Sequence, residues 1–423
     1  MIKLCSLALL SALVAGPAAQ AETVPVATPA ALQQALLAVA PGDVLVLGAG
    51  DYGQLDLRGL VMPQDRPVVL RGADDGAVRF SGMHLREVEG LVLENLVFDY
   101  SYAPGDPRYL RPFQIISSRR ITIRKALFDG DVARGVSASA DGFGTGFALG
   151  ITGSAGVVLI DSEIRGFLRG VVVSDSRDIV LRGNDIHSLR SDGMNFAQVE
   201  SVLIEGNHIH DFLRALDSAD HADMIQFWTN GTETPSRDIV IRGNVLNSGG
   251  GWWTQSIFMR NDQVDRGLAG PEMFYRNVLI EQNVIINAHL HGIAVGETDG
   301  LIIRNNTVIR NARSEGERDN VALWNPRISV AETSRNVQIL RNVVSRIGGA
   351  EGQAGWVVAE NIFVQDQGRL GEGLFYDLVF VDARTGDPQD LGSFSYLPGG
   401  PLDGTGIGAS RLASLQPEVP GLP

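Results

Sequence analysis

Apolar and polar residues alternate over short runs along most of the chain, and one such run recurs seven times between residues 179 and 363. Each copy places apolar residues at alternate positions and then a short polar step that contains an Asn. The copies read IVLRGNDI, VLIEGNHI, IVIRGNVL, VLIEQNVI, LIIRNNTV, VQILRNVV and, in degenerate form, VVAENIF. Alternation is the period of a half-buried strand, and a recurring unit is typical of a solenoid whose coils bury their faces by stacking. The pattern therefore predicts a stack of coils.

The recurring Asn residues are separated by intervals of 23, 37, 39, 23 and 36 residues over the first six copies. The longer intervals fit the same coil with an inserted loop, which solenoids place on one face. An Asn at each turn is expected to tolerate a left-handed backbone and to hydrogen-bond the coils above and below. We therefore assign a structural role to Asn184, Asn207, Asn244, Asn283, Asn306, Asn342 and Asn361.

The two ends of the stack have different patterns. Thr28 and Pro29, followed by AALQQALLAVA, predict an N-cap and a short helix that covers the first coil. We expect residues 22–366 to form the solenoid with this cap, and residues 367–423, rich in Gly, Pro and Asp, to form an irregular capping segment of the same domain. Parallel coils and the right-handed crossover rule predict an all-β fold, a single-stranded right-handed parallel β-helix.

The composition of the chain predicts where the protein is located and which residue types are available for a reaction. Residues 1–21 have a basic start, an apolar stretch and the sequence Ala19-Gln20-Ala21, which predict a cleaved signal and a periplasmic or secreted protein. No later apolar stretch has the roughly 18 residues needed to span a membrane. The formal charge of −14 argues against nucleic acid as a partner. Only Lys125 follows the signal, so arginines, histidines and acids must carry any chemistry. We expect a monomer without an organic cofactor.

A second strand precedes each Asn phrase, and its inward residues can be aligned from coil to coil. The inward pairs are Val171/Val173, Met194/Phe196, Ile225/Phe227, Ile257/Met259, Ile293/Val295 and Val321/Leu323. In each coil, three positions of this strand are expected to face outward. Near the middle of the stack, these positions hold polar or aromatic residues. They hold Asp192, Asn195, Asp223, Gln226, Trp228, Gln255, Arg260, His291 and Trp324, and the flanking insertions add His221 and Arg327. The alignment predicts a loop-walled cleft centred on coils 192 to 260, suited to binding sugars.

Two reaction classes fit the paired acids. Asp192 and Asp223 lie on neighbouring coils, about 5 Å apart by strand spacing, so they must share a proton or a cation. With Ca2+ as the cation, they would help to bind a uronate carboxylate and acidify its C-5 proton, with Arg260 or a histidine as base. With a shared proton, one would act as acid and the other as nucleophile or water activator in glycoside hydrolysis.

The opening LQQALLAVAPGDVLVLGAGDY, with RPVVLRGADDGAVRFSG and GLVLENLVF, resembles the start of secreted pectin-lyase-like enzymes. The resemblance is closest to the polysaccharide lyase family that includes chondroitinase B and alginate lyases. HADMIQFW (221–228) resembles the calcium-binding strand of that family, with His221 and Asp223 where its acids stand. SIFMRND (256–262) resembles the strand that carries its arginine, through Arg260. Trp228 occupies the place of the family's catalytic lysine, which puts the lysine mechanism in doubt.

These observations give one leading hypothesis and two alternatives. The leading hypothesis is a lyase or C-5 epimerase that acts on an acidic, uronate-containing polysaccharide. The alternatives are a glycoside hydrolase that uses the paired Asp residues and a non-catalytic carbohydrate-binding solenoid. The candidate residues are Arg260, His221, Asp223 and His291 for catalysis, Asn195, Gln226, Trp228, Gln255, Trp324 and Arg327 for substrate binding, and Asp192 and Asp223 for a metal.

Overall fold

Short parallel strands stack into three long sheets in the computed structural model, which describes residues 21–74, 76–250, 253–314, 323–366 and 373–415. Within these residues the sheets have 13, 11 and 13 strands. The first sheet contains Thr23–Val26, Val44–Leu47, Val68–Gly72, Glu89–Glu94, Arg119–Arg124, Ala155–Ile160, Arg177–Arg182, Glu200–Glu205, Arg237–Arg242, Tyr275–Glu281, Thr298–Arg304, Arg335–Leu340 and Val357–Ala359. The second sheet, called the site sheet below, contains Gln54–Arg58, Gly82–Arg86, Phe113–Ile116, Phe147–Thr152, Arg169–Ser174, Met194–Ala197, Asp223–Trp228, Gln255–Met259, His291–Val295, Arg327–Val330 and Ile347–Gly348. The third sheet contains Gly50–Asp51, Val78–Phe80, Val97–Asp99, Leu127–Asp129, Glu163–Arg165, Asp185–His187, His208–His210, Val245–Asn247, Val284–Ile286, Thr307–Ile309, Val343–Val344, Ile362–Gln365 and Leu374–Phe375.

Each complete coil gives one strand to each sheet, and neighbouring coils pair in parallel. The prediction of a parallel β-helix is confirmed. One apolar core runs along the interior from Val26 to Val344, because most strands turn their apolar alternate residues inward. Stacked rings continue this core between coils, as for Phe196 and Phe227, whose centroids are 4.6 Å apart.

The register of the site sheet confirms the inward pairs through residue 295. Ile225 pairs with Met194 and with Ile257, which in turn pairs with Ile293. The last predicted pair is wrong, because Ile328 and not Val321 pairs with Ile293. Residues 321 and 322 lie outside the described residues. The sequence VALW has the alternating pattern of a strand but belongs to a long insertion. Only the pairing with the neighbouring coil identifies the true strand.

The Asn ladder is confirmed as a continuous hydrogen-bonded column from Asn184 to Asn361. In each step the side-chain amide of one Asn donates to the Oδ1 of the next at 2.9–3.0 Å. The same Oδ1 also accepts the preceding Asn's backbone N–H, as Asn207 Oδ1 does from Asn184 at 3.0 Å. Buried backbone groups at the turn are therefore satisfied by side chains, as buried polar groups require.

The left-handed residue at each turn differs from the expectation. It precedes the ladder Asn, as at Gly183, Gly206 and Gly243, where φ is 63°, 64° and 63°. Gln282 and Arg341 occupy the same position in later coils, with φ of 59° and 56°. Glycine adopts this backbone without steric cost. The ladder Asn therefore does not need to take the left-handed conformation itself, and its side chain hydrogen-bonds the neighbouring coils.

Short helices and the C-terminal segment complete the fold. The helical elements of the described residues are Pro29–Ala38, Asp262–Asp265, Pro271–Met273, Ala312–Ser314, Tyr376–Leu378, Leu391–Phe394 and Ser410–Ser414. The predicted capping helix is confirmed at Pro29–Ala38, where Thr28 Oγ1 accepts the Ala31 N–H at 3.2 Å. The helices of the described residues are too short or too polar to cross a membrane.

The C-terminal segment is irregular, as expected, but it lies along the outer face of the third sheet. Tyr376, Phe380 and Phe394 form a second apolar core with outward residues of that sheet, including Val284 and Ile309. This packing explains why Val284–Ile286 is buried at all three positions.

Candidate functional site

Two fully buried carboxylates lie at the edge of the site sheet, where the chain enters the strand. Asp192 and Asp223 are 0% exposed. The residue after Asp192 is Gly193, which faces the interior: a Cβ there would lie 3.1 Å from the Ile209 side chain and 2.5 Å from the Met224 carbonyl oxygen. Because residue 193 and Met194 both face inward, the chain bends at this point and Asp192 is turned outward. This bend explains how Asp192, two positions before the inward Met194, comes to face outward.

The carboxylate of Asp223 has two partners on its own strand. Its Oδ2 accepts a hydrogen bond from Gln226 Nε2 at 2.6 Å and lies 3.2 Å from His221 Nε2. Burial raises the pKa of Asp223 to about 6; His221 lowers it and Asp192 raises it further. The hydrogen bond to Asp223 raises the pKa of His221, although burial opposes this. The two groups are therefore coupled, and each favours the charged form of the other.

Asp192 continues the polar contacts into the preceding coil. Its Oδ1 accepts the Asp223 backbone N–H at 3.2 Å, and its Oδ2 accepts Asn195 Nδ2 at 3.1 Å. Arg169 Nε lies 3.0 Å from the same Oδ2. Asn195 Nδ2 also donates to Gln226 Oε1 at 2.9 Å, so the two outward amides tie both carboxylates together. The structure brings these four residues, which the alignment placed on one face, into contact.

Only the two ends of this polar line reach solvent. The His221 side chain is 58% exposed and that of Arg169 is 26% exposed, while the carboxylates between them are inaccessible. We call His221, Asp223, Asp192 and Arg169 the polar line. Its exposed groups are one imidazole and one guanidinium, so a ligand on this face meets a base and a cation.

The loop that carries His221 is anchored by buried ion pairs. Asp220 accepts from Arg190 at 2.9 Å and pairs with Arg108, and these arginines counter the effect of burial to hold the pKa of Asp220 below its usual range. Ser191 Oγ donates to the His221 carbonyl oxygen at 3.0 Å. The imidazole is therefore fixed from both coils, as precise positioning of a functional group requires.

An aromatic and cationic patch adjoins the Arg169 end. The guanidinium carbons of Arg169 and Arg111 lie 5.5 and 5.3 Å from the Phe147 ring centroid, within cation–π range. Tyr109 packs edge-on against Phe147 and is 57% exposed. Arg108 stands over the Tyr109 ring at 5.3 Å.

The sequence interpretation missed this patch, since it centred the cleft further along the stack and did not name Arg169 among the candidates. The run DPRYLRP, dense in arginine and aromatic residues beside the Phe113–Ile116 strand, was the available signal.

The next two coils also have polar residues at the position of Asp223, namely Gln255 and His291. Gln255 pairs in register with Asp223, and its Oε1 contacts His291 Nδ1. The His291 ring stacks on Phe258 at 5.0 Å, and burial, with Arg327 nearby, lowers the pKa of His291 to about 4. Arg327 pairs in register with His291. His291 is thus a neutral group held by its neighbours.

Arg260 lies outside the polar line. Its guanidinium Nε is 2.9 Å from Asp265 and 3.5 Å from Asp262, and its side chain is 50% exposed. Arg260 is five positions beyond Gln255, which pairs with Asp223, so it lies about 17 Å along the strand. Its catalytic role stays a prediction. It lines a groove of about 320 Å³ on the same face.

The two predicted tryptophans are also placed away from the acids. Trp228 pairs with Ala197 at the end of its strand and is half-buried, on the outward face as predicted. Trp324 precedes the Arg327–Val330 strand, so the alignment that put it on this face is wrong. Its ring packs under Arg310, whose guanidinium carbon is 5.4 Å from the ring centroid.

The fit of Ca2+ to the polar line depends on which of its side-chain oxygen atoms have no hydrogen-bond partner. Ligand atoms of Asp192, His221 and Asp223 lie within 4.8 Å of one another. Asp223 Oδ1 and Asn195 Oδ1 lack hydrogen-bond partners, but the other carboxylate oxygens accept hydrogen bonds from amides or the backbone. Ca2+ takes six to eight oxygen ligands. These side chains do not fit Ca2+ in this arrangement, and calcium dependence stays a prediction.

Solved structures of several known proteins are similar to this chain. A search of curated proteins gave no match to this sequence. An alginate lyase from Paenibacillus sp. str. FPU-7 is similar in structure, with 14% identity over 84% of this chain and 97% of that chain and a TM-score of 0.38. The surface adhesin PfbA of Streptococcus pneumoniae has 13% identity over 80% of this chain and 85% of that chain, with a TM-score of 0.44.

A GH136 lacto-N-biosidase from Eubacterium ramulus has 12% identity over 80% of this chain and 67% of that chain, with a TM-score of 0.43. A family model described as "Right handed beta helix region" matches residues 143–368, more than half of the chain. The match covers the coils that carry the Asn ladder and the polar line. The chain therefore belongs to the right-handed β-helix family.

Proposed function

We propose that this protein is an enzyme of the periplasm or medium that abstracts the C-5 proton of a uronate sugar in an acidic polysaccharide. Lyases and C-5 epimerases share this step. The observation that carries the proposal is the polar line, in which two buried carboxylates connect an exposed imidazole to an exposed guanidinium.

His221 is the proposed base. Asp223 Oδ2 lies 3.2 Å from His221 Nε2 and favours the tautomer with its proton on Nε2. Nδ1 then carries the lone pair of the ring, and the His221 side chain as a whole is 58% exposed. A buried carboxylate that orients an imidazole also stabilises the imidazolium formed on proton transfer. In this proposal His221 takes the role of the lysine whose place the resemblance assigns to Trp228.

Arg169 is the proposed partner of the uronate carboxylate. Proton loss at C-5 moves negative charge onto that carboxylate, and a guanidinium stabilises it by paired hydrogen bonds. Arg108 and Arg111 extend the cationic surface beside Arg169, and Tyr109 offers an exposed ring to a sugar face. The local excess of arginine explains how a chain of charge −14 would accept a polyanion.

The chemistry balances without a cofactor. The C-5 proton passes to His221 Nδ1, and the C–H electron pair moves toward the carboxylate held by Arg169. In a lyase this pair forms the C-4 to C-5 double bond while the C-4 to oxygen bond breaks, and the leaving oxygen takes a proton from solvent water. In an epimerase a proton from solvent water is added to C-5 from the opposite face. In both cases the His221 imidazolium returns the C-5 proton to solvent.

Hydrolysis by the paired Asp residues is a weaker candidate. Both catalytic carboxylates of a glycoside hydrolase must reach the scissile bond, either directly or through one water. Asp192 and Asp223 are 0% exposed and are covered by Asn195, Gln226, His221 and Arg169. These contacts suit carboxylates that act through a neighbouring group.

The test is incubation with alginate, pectate and glycosaminoglycans, with and without EDTA. Ultraviolet absorbance reports the unsaturated product of a lyase, and exchange of C-5 hydrogen with solvent reports an epimerase. His221→Gln should lower kcat by about 10²- to 10⁴-fold, the usual contribution of a general base. Arg169→Ala should lower kcat/KM for the same substrate.

His84→Gln is the matched control, since His84 is an exposed histidine on the site sheet that pairs with Asp56 at 3.2 Å. It should leave turnover at the wild-type level. New reducing ends without absorbance would establish a hydrolase instead, and binding without any reaction would establish a carbohydrate-binding solenoid. Activity that disappears with EDTA would restore the calcium prediction.

A further inference from the structure

A second cluster of histidines and carboxylates lies on the third sheet, apart from the polar line. Asp185 pairs in register with His208 on the neighbouring coil, and His210 follows two residues along the same strand. The His208 and His210 rings stack at 3.9 Å on the outer face, because the intervening Ile209 points into the core. One potential ligand atom from each of Asp185, His208 and His210 lies within 4.8 Å of the others.

Two of the three separations between these atoms are close to those around a tetrahedral metal, and one of the two stacked rings must turn for both lone pairs to point at one ion. Asp185 Oδ1 is 3.4 Å from His208 Nδ1 and 2.9 Å from His210 Nε2. Ligand atoms about 2.0 Å from a tetrahedral Zn2+ are about 3.3 Å from one another. Two imidazoles and one carboxylate are ligands of the type that Zn2+ accepts, whereas Ca2+ requires oxygen ligands.

A second carboxylate fixes the orientation of one imidazole. His210 Nδ1 lies 2.7 Å from Asp211 Oδ2, and that carboxylate accepts Gln389 Nε2 at 2.6 Å. A histidine that ligates a metal through one nitrogen commonly donates its other N–H to a carboxylate in this way. The side chains of Asp185 and His208 are 51% and 41% exposed, so an ion and a fourth ligand from solvent have access.

We infer that Asp185, His208 and His210 form a binding site for Zn2+, with Asp211 as the orienting carboxylate. The site would join the coils of Asp185–His187 and His208–His210, and through Asp211 and Gln389 it would couple them to the C-terminal segment. Binding to the folded chain alone stabilises the fold by mass action. The proposed role is therefore a clamp, independent of the reaction on the site sheet.

The experiment titrates Zn2+ alone into the full chain after EDTA treatment and removal of the chelator, with calorimetry and thermal melting as readouts. Wild type should bind one Zn2+ and melt at a higher temperature when it is bound. His208→Gln and Asp185→Asn should weaken binding at least about tenfold, since each removes a direct ligand. Asp211→Asn should weaken it about 10- to 100-fold. Position 211 has φ of 48°, a backbone that Asn tolerates, so this variant should fold.

Two control variants locate the ion. His84→Gln removes an exposed histidine with a single carboxylate partner, and His221→Gln removes the histidine of the polar line. Both should bind Zn2+ as wild type does. The inference is overturned if wild type binds no Zn2+, if His208→Gln binds as tightly as wild type, or if His221→Gln alone loses binding. Circular dichroism of each variant establishes that it is folded before titration.

Discussion

Replacing Asn244 by Ala removes one step of the buried Asn ladder at its middle. The Asn244 side chain makes four hydrogen bonds. Its Nδ2 donates to Asn283 Oδ1 at 2.9 Å and to the Ile204 carbonyl oxygen at 3.0 Å. Its Oδ1 accepts from the backbone and the side chain of Asn207, both at 2.9 Å. All of these groups are buried, so water cannot replace the lost partner.

The loss in free energy of unfolding expected for Asn244→Ala follows from these contacts. A buried hydrogen bond contributes about 1 kcal/mol net, so four of them contribute about 4 kcal/mol to the free energy of unfolding. The donors of Asn207 and the carbonyl of Ile204 would be left without this partner, which makes that figure a lower bound. Asn361 is the matched control, because it ends the ladder and is only half-buried. Asn361→Ala should cost about 1 kcal/mol, since water reaches the freed groups.

Urea unfolding of both variants, followed by far-ultraviolet circular dichroism, measures the difference by linear extrapolation. Equal losses in the two variants, or a loss below about 1 kcal/mol for Asn244→Ala, would refute the view that buried amide hydrogen bonds hold the coils in register.

Three further predictions concern the site sheet. Gly193→Ala should reduce both turnover and melting temperature, because its Cβ would lie 2.5 Å from the Met224 carbonyl oxygen; Gly355→Ala, with open space around it, should change neither. Since the folded-state pKa of His291 is lowered from 6.5 to about 4, the unfolded chain binds the extra proton in this window and stability falls as pH falls from 6.5 to 4. His291→Gln should flatten that part of a plot of melting temperature against pH, and an unchanged slope would contradict the assignment. Arg260→Ala should raise KM and leave kcat nearly unchanged, because Arg260 lines the groove about 17 Å from Asp223; a loss of kcat as large as that of His221→Gln would show that this placement is wrong.

The periodic parts of the chain were the most predictable from the sequence. An inward residue such as Ile225 must repeat at the same point in every coil, because each coil stacks directly on the next. The same periodicity placed Asp192, Asn195, Asp223 and Gln226 on one face, where the structure brings them into contact.

Insertions were the least predictable, since their length breaks the period and any short apolar run within them can imitate a strand. The pair Val321/Leu323 failed for that reason, and Trp324 was misplaced with it. The aromatic and cationic patch was missed for a related reason, because Tyr109 and Arg111 reach the site from a loop outside the repeat.

The sequence by itself determined the coiled architecture, the Asn ladder and the face that holds the acids, because each depends on spacing along the chain. Only the tertiary structure decided which acids are exposed, what orients His221 and that Arg169 reaches Asp192 while Arg260 does not reach Asp223. It also decided that the C-terminal segment packs on the later strands of the third sheet. These outcomes depend on burial and on contacts between distant loops, which have no period for a sequence to reveal.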